Sequence, residues 1–558
     1  MRFSDAPKTI AFAVLVASAM MASEPKTSPE LANLPAGTTV DVIVRYRNAP
    51  TNHHRQMMER RGARLRHELN VVKGLAYSVT QEDLAALEAD PEVESVTPDR
   101  KVAATAVTVA SHVYETADAY SATMAGYAGS GVAVAVIDSG IQWDHPDLAG
   151  RVVYSQNFVP SANTAYDQYG HGTHVAGIIG GLPVNYNTTT YKFAFPGIAP
   201  LVNLVNLRVL DQNGQGQDSA VIAAIQQAIA LKNTYNIKVI NLSLGRTIQQ
   251  SYKTDPLCQA VEAAWKAGLV VVVAAGNNGR DNSAGTQGYA TITAPGNDPY
   301  VITVGAMKDM GTASRADDQM ASYSSKGPTL LDHIAKPDLV APGNRVISTI
   351  YNTPTLVNSY PANAVPVSLY LNNPNGASTS TVYFQLSGTS MATPVVSGAA
   401  ALLYQRNPAL TPDQVKAILM KTASKSFPTV TTATDPTTGQ TFTTYYDLFT
   451  VGAGYVDVWA ALNNNDSFPS GYTSPSPVVT LNSSTGTASL VNGSNVVWGS
   501  NLVWGSNVVW GSNVVWGSNV VWGSNLVWGS NVVWGSNVVW GSTNPQGEAA
   551  TIAIQGEN

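Results

Sequence analysis

Two kinds of apolar pattern follow one another along the chain. Over residues 38–100 strand-like and helix-like stretches alternate. Val40–Tyr46 has the period of a strand, Arg55–Leu69 is strongly charged and helical in character, and Gly74–Val79 is a second strand region. Thr80-x-x-Asp83 ahead of Leu84 and Leu87 has the form of a capping box, and Val93–Thr97 closes the unit. This rhythm predicts a small α+β domain of the ferredoxin-like kind, which says nothing by itself about function. From about residue 115 to 465 the texture changes. Short apolar runs at Val132–Ile137, Val202–Leu207, Val239–Leu244, Leu269–Ala275 and Val301–Val304 now alternate with helical patterns. Runs that are apolar on both faces predict parallel strands covered by helices on each side, so the expected fold is α/β with a doubly wound parallel sheet. In such sheets ligands bind beyond the carboxyl ends of the strands. That rule singles out Asp138, Ser243-Leu244-Gly245 and Gly276-Asn277.

Both ends of the chain differ from this pattern. Arg2, Lys8, the apolar stretch Thr9–Ala17 and the small-residue run Ala17-Ser18-Ala19 have the form of a signal peptide over residues 1–22. The stretch is too short to span a bilayer, so an exported protein without a transmembrane anchor is expected. Residues 466–494, rich in Ser, Thr, Pro and Gly, read as a linker. Residues 495–542 hold eight tandem hexapeptides of the form Asn-(Val/Leu)-Val-Trp-Gly-Ser, and a tail of residues 543–558 ends the chain. A period of six places every Trp on one face of a strand and also suits a parallel β-solenoid. Aromatic rows can bind a cell surface or polysaccharide, stacked repeats can self-associate, and a plain structural stalk fits the same pattern.

At 558 residues, with 44% hydrophobic and 12% charged residues, the chain can bury a large core and is expected to form two or more units. Residues 1–101 balance 13 basic against 13 acidic groups, so the net charge of −6 lies wholly on residues 102–558. No basic run exists there to track a phosphate backbone, which argues against nucleic acid as a partner. The single cysteine, Cys258, excludes an intrachain disulfide and reads as a small buried apolar residue.

Three segments carry chemistry. Val136-Ile137-Asp138-Ser139-Gly140 ends an apolar strand on a carboxylate, and His171-Gly172-Thr173-His174 places a histidine at the start of a small-residue helix. Gly388-Thr389-Ser390-Met391-Ala392-Thr393-Pro394 places a serine at another helix start, with Pro394 expected in its first turn. A serine hydroxyl is a weak nucleophile near neutral pH; it needs a base, and the base needs a partner that fixes its tautomer. Each residue alone has an ordinary structural reading as a cap or strand end. Together, in the order Asp, His, Ser, the three segments resemble the signature of the subtilases, the subtilisin-like serine peptidases.

The resemblance covers about residues 115–463, and the small domain before it resembles the family's inhibitory propeptide. It implies Ser390 as nucleophile, His171 as general base and Asp138 as the carboxylate that orients it, with Asn277 as an oxyanion-binding amide. His174 is then structural and Asn278 a turn residue. It also implies that Ser243, Leu244 and Gly245 pair with an extended protein or peptide substrate, with Gly214–Gly216 on its other side. The specificity pocket is expected between Ser243–Gly245, Ala274–Gly276 and Thr293–Pro295. No Asp or Glu stands at these positions, which suggests an apolar or aromatic residue before the scissile bond. No cofactor is required for the chemistry. Asp147 matches a residue that often ligates calcium in the family, so a structural Ca²⁺ is a further expectation, although the loop Leu182–Phe195 is longer than the pattern. A second departure is an insertion around Tyr351–Val382.

The implied organisation is a signal over 1–22, a propeptide over 23–105 and a catalytic domain over 106–465. The propeptide is expected to template folding and block the cleft, and self-cleavage near Thr97–Ala110 to release it. A surface or adhesion protein led by its repeats is the competing reading. An esterase fold is disfavoured, because Gly388-Thr389-Ser390-Met391-Ala392 lacks the second glycine of a nucleophile elbow.

Overall fold

A computed structural model describes residues 26–31, 34–35, 37–103, 112–183, 187, 189–372, 379–435, 438–482, 487–491, 513–516, 520–523 and 526–527. The small N-terminal unit runs β1 (Thr39–Tyr46), α1 (Asn52–Arg60), β2 (Arg64–Leu69), β3 (Gly74–Thr80), α2 (Gln81–Ala89), β4 (Val93–Pro98). Its antiparallel sheet has the order β2-β3-β1-β4, over a core of its own that includes Val42, Val44, Tyr77 and Leu87. The capping box forms as expected, with Thr80 and Asp83 bonded to each other at the start of α2. The single helix expected over Arg55–Leu69 is wrong. The helix ends at Arg60, Gly62 turns the chain at φ 85°, and Arg64–Leu69 becomes β2.

The next strand, β5 (Lys101–Ala103), leaves this unit, and two short helices come after it, α3 (Val113–Thr116) and α4 (Ala119–Met124). Then come β6 (Ala133–Asp138), β7 (Val152–Asn157), α5 (His171–Gly180), β8 (Asn203–Arg208), β9 (Gln215–Gln217), α6 (Asp218–Tyr235), β10 (Ile237–Leu242), α7 (Pro256–Lys266), β11 (Val270–Ala274), β12 (Ile302–Lys308), β13 (Gln319–Met320) and β14 (Leu339–Pro342). The main sheet has the order β13-β12-β11-β10-β6-β8-β7, with β14 also on β12, and every pairing is parallel except β12 with β13. Val270–Val273 of β11 are wholly buried, each worth about 1.5–3 kcal/mol on leaving water. α6 packs with α7 on one side and α5 with α10 (Thr389–Arg406) on the other, which gives the two helical layers. α11 (Pro412–Thr422) packs beside β11.

The chain goes from β6 outward to β7 and β8, then returns to the other flank of β6 as β10. This reversal between β6 and β10 is a switch point, where an open crevice forms beyond the carboxyl ends of the strands. The insertion around Tyr351–Val382 places α8 (Thr355–Ser359), β16 (Ala364–Pro366) and α9 (Val367–Tyr370) between β15 (Val346–Thr349) and β17 (Thr379–Leu386), with the sheet order β15-β17-β16. It packs on the long loop through Tyr191, Phe195, Tyr370 and Tyr383, so the two departures form one aromatic module.

The stretch read as a linker is docked over much of its length. Ser474 N–H donates to Asp413, Ser476 N–H to the Pro299 carbonyl and Val479 N–H to the His333 carbonyl. Within the hexapeptide tract, Asn513–Trp516 pairs antiparallel with Val520–Gly523, and Leu526–Val527 pairs antiparallel with Thr487–Ala488. These few residues do not form the parallel stack of a solenoid. The expected signal peptide, the tail and the rest of the repeats lie outside the described residues.

Candidate active site

Asp138 is the last residue of β6 and is fully buried at the switch point. Its Oδ1 accepts from His171 Nδ1 at 2.8 Å and from the Ser139 N–H at 2.7 Å. The approach depends on Gly172. A Cβ there would run into the Gly140 carbonyl oxygen and sit 3.1 Å from Asp138 Cβ. No motif pointed to Asp167, yet it sets the first turn of α5. Its Oδ1 accepts from the Gly170 N–H at 2.7 Å and from Ser139 Oγ at 2.9 Å, and its Oδ2 from the Thr173 N–H and hydroxyl at 2.9 and 2.6 Å. Burial raises its carboxyl above the ordinary range, against the pull of those donors.

Ser390 is the second residue of α10, in the turn whose N–H groups no intrahelical carbonyl reaches. Pro394 does not lie in that first turn as expected; it is the sixth residue of the helix. Proline has no N–H to return to the carbonyl four residues back, which here is Ser390. That carbonyl instead accepts from Ser243 Oγ at 2.8 Å, and Ser390 Oγ donates to the Ser243 carbonyl at 3.0 Å. Ser243 is held by Asn241, which is held by Ser397 further along α10. The end of β10 and the start of α10 are thereby locked together. His171 Nε2 is buried without a hydrogen-bond partner, so in this state the serine hydroxyl rests on Ser243.

Asn277 comes just after β11. Its Oδ1 accepts from the Thr389 N–H at 2.9 Å and hydroxyl at 3.0 Å, and Thr389 Oγ1 in turn accepts from the Gly276 N–H. With the amide oxygen engaged at the helix start, the donor end of the carboxamide is the end directed away from it. The substrate segments are contiguous. A Cβ on Gly245 would lie 2.6 Å from Thr293 Oγ1, and one on Gly276 2.7 Å from Thr293 Cγ2, so Thr293 closes on both glycines. Leu244 points into the main core and offers only its backbone.

One side of this cleft is already occupied by the chain itself. β5 adds antiparallel to β9, pairing Lys101 with Gln217, Val102 with Gly216 and Ala103 with Gln215. Beside it, Asp99 caps α6 through the Ser219 N–H and hydroxyl, the Asp218 N–H donates to the Arg100 carbonyl at 2.7 Å, and Arg66 reaches Gln217 at 2.9 Å. Burial in this interface pushes Asp99 up to about 7.

His174 is the structural residue expected: its Nε2 lies 3.1 and 3.0 Å from the carbonyls of Val346 and Phe384, and burial holds its pKa down at about 3. Cys258 is buried, which pushes its thiol up and away from reactivity. Asp147, the residue of the calcium expectation, is engaged by protein groups. Oδ2 accepts the Tyr383 hydroxyl at 2.6 Å, His145 Nδ1 accepts from the Asp147 N–H, and the aromatic module closes over both.

The subtilase family model matches residues 129–478. Serine protease AprX of Bacillus subtilis (strain 168) is 39% identical over 302 residues, which span 53% of this chain and 62% of that protein. Subtilisin E of the same strain is 34% identical over 372 residues, 66% of this chain and 80% of its own. The extracellular serine proteinase of Thermus sp. (strain Rt41A) is 35% identical across 62% of this chain and 70% of its own. Among solved structures, that of fervidolysin from Fervidobacterium pennivorans, a keratinolytic enzyme related to subtilisin, has a TM-score of 0.57 and 23% identity over 78% of this chain and 63% of that one. At that identity the likeness speaks to the fold alone. The family match reaches past the expected boundary at 465 and takes in part of the docked stretch. Match length and identity together place the protein: the chain belongs to the subtilase family of serine peptidases.

Proposed function

We propose that the chain is a secreted serine endopeptidase, made as a precursor that cuts itself. The 2.8 Å bond between buried Asp138 and His171 carries the reading, because it leaves Nε2 of the same ring as the only nitrogen able to act as base. In this mechanism the Ser390 hydroxyl turns from the Ser243 carbonyl to His171 Nε2, gives up its proton and attacks the scissile carbonyl. His171 then passes the proton to the leaving amine, and Asp138 stabilises the imidazolium. The Asn277 amide and the Ser390 N–H receive the developing oxyanion; losing one such donor costs roughly 3–4 kcal/mol, a magnitude that comes from subtilisin itself.

The N-terminal unit acts as the inhibitor, in support of which β5 lies along β9 where a substrate strand would pair. Secretion is supported by the pattern of residues 1–22, and among the described residues no helix is long and apolar enough to cross a membrane. The test is hydrolysis of casein by the secreted protein together with labelling by a fluorophosphonate. Ser390→Ala should lose the label and about 10⁶ in kcat, and should accumulate as the uncut precursor. A purified Ser390→Ala protein that still loses residues 23–101 would refute self-processing, and unlabelled, inactive wild-type protein would refute the enzyme.

A further inference from the structure

The loop that carries Asn277 is fastened step by step to residues 322–325. The Ser325 N–H donates to the Gly276 carbonyl at 2.9 Å, the Asn278 N–H to Ser325 Oγ at 3.0 Å and the Gly279 N–H to the Tyr323 carbonyl at 2.7 Å. The two segments lie closest at Gly279, where a Cβ would collide with the Ser324 carbonyl oxygen. Arg280 makes the last of these links, from Nε to Ser322 Oγ at 2.6 Å. Residues 282–285 beyond it are exposed, so Arg280 is where the Asn277 loop is tied down before the chain runs out into solvent.

Arg280 is itself gripped by an antiparallel ribbon, β18 (Val430–Thr434) and β19 (Thr441–Tyr445). Every other residue of β18 is exposed, and a ribbon of two strands has little core of its own. Two of its side chains nevertheless turn onto one guanidinium. Asp435, just after β18, accepts at Oδ2 from Arg280 Nη1 at 2.8 Å, and Arg280 Cζ lies over the Phe442 ring of β19, 4.5 Å from its centroid. The ion pair is nearly buried, its side chains 9% and 11% exposed. A guanidinium can make all three contacts at once, because its plane stacks on a ring while its edge donates in two directions. The base of the ribbon is tied back to the same region, where the Tyr446 hydroxyl accepts from the Met320 N–H at 2.6 Å.

We propose that Arg280 is a positioning residue: the ribbon holds it through Asp435 and Phe442, and it fixes the backbone from which Asn277 presents its amide. The inference rests on the oxyanion role proposed for Asn277. The experiment is steady-state hydrolysis of a peptide anilide by the secreted, self-processed enzyme. Phe442→Ala and Asp435→Asn should each lower kcat roughly three- to tenfold with KM within about twofold, and Arg280→Ala should lower it further. Phe442→Tyr keeps the stacked ring and should keep kcat, whereas Arg280→Lys keeps the charge, loses the fork and should behave like Arg280→Ala. A merely structural role would not couple to the amide, so the deciding readout is a double-mutant cycle. Once Asn277→Ala has removed the amide its placement no longer matters, and Phe442→Ala should then cost less than about twofold. Should Arg280→Ala not be secreted, the two ribbon variants decide alone. Unchanged kcat in both of them, or the same loss with and without the Asn277 amide, would overturn the proposal while leaving the peptidase intact. Full kcat in Asn277→Ala would overturn the oxyanion role and the proposal with it, and no cleavage by the wild type would overturn the endopeptidase reading as well.

Discussion

Asp167 takes part in none of the proposed bond-making steps, yet it receives hydrogen bonds from Ser139, Tyr169, Gly170 and Thr173. Replacing it by Ala strands several buried donors at once, and the expected loss is about 3–5 kcal/mol of stability. Asp167→Asn keeps an acceptor and should lose clearly less; denaturant melts in the Ser390→Ala background, where autolysis is blocked, rank the two. His174 gives a pH prediction. The unfolded chain takes up its proton below about 6.5, whereas the buried ring refuses it until about 3. Its contribution is therefore complete above pH 6.5 and falls by about 1.4 kcal/mol per pH unit as acid is added down to 3. Titrating stability from pH 7.5 to 4 should show that extra slope, and His174→Gln should flatten it. The proposed group of Asp138, His171, Asn277 and Ser390 stood out in the sequence because Asp138 ends a strand, Asn277 follows one, and His171 and Ser390 stand at helix starts, each inside its own short motif. Asp167 was not, because it lies in a polar loop and its partners meet it only after folding.

Helices and strands here are positioned by what fails to fit between them. α5 comes close enough to β6 for the Asp138–His171 bond only because residue 172 has no side chain. Gly172→Ala should push the helix away and lower kcat/KM by more than about a hundredfold, in line with the cost of a 1 Å misplacement; an assay on a short peptide, with the melt recorded alongside, checks it. Parallel strands were legible because a strand covered on both faces has to be apolar at nearly every position. The error at Arg55–Leu69 has the opposite cause. On a surface element the charges obscure the period, and the only break was Gly62. The reciprocal bonds of Ser243 and Ser390 were equally hidden, although Pro394 marked a carbonyl in need of a donor.

Across the whole molecule, composition misled at residue 466. A run of Ser, Thr and Pro reads as linker, but Ser476 Oγ donates to Asp338 Oδ1 at 2.5 Å inside a fully buried cluster with Lys336 and Lys416. Buried charges tolerate the loss of a polar partner poorly. A chain ending at residue 465 should therefore melt at least about 5 °C below one ending at 482, both measured as Ser390→Ala proteins by calorimetry. The docked residues 474–479 thus pack as part of the folded unit and not as a free linker. The pairing of β5 with β9 has a further consequence, for activation. On the proposed reading of the N-terminal unit as inhibitor, β5 faces β9 at the high effective concentration of a tethered partner while the chain is unbroken, and diluting the protein cannot loosen it. A single cut after β5 removes the tether, and the same contacts must then hold as a bimolecular complex. Cleavage and the onset of activity become separable events, the second of which should come sooner the more dilute the enzyme.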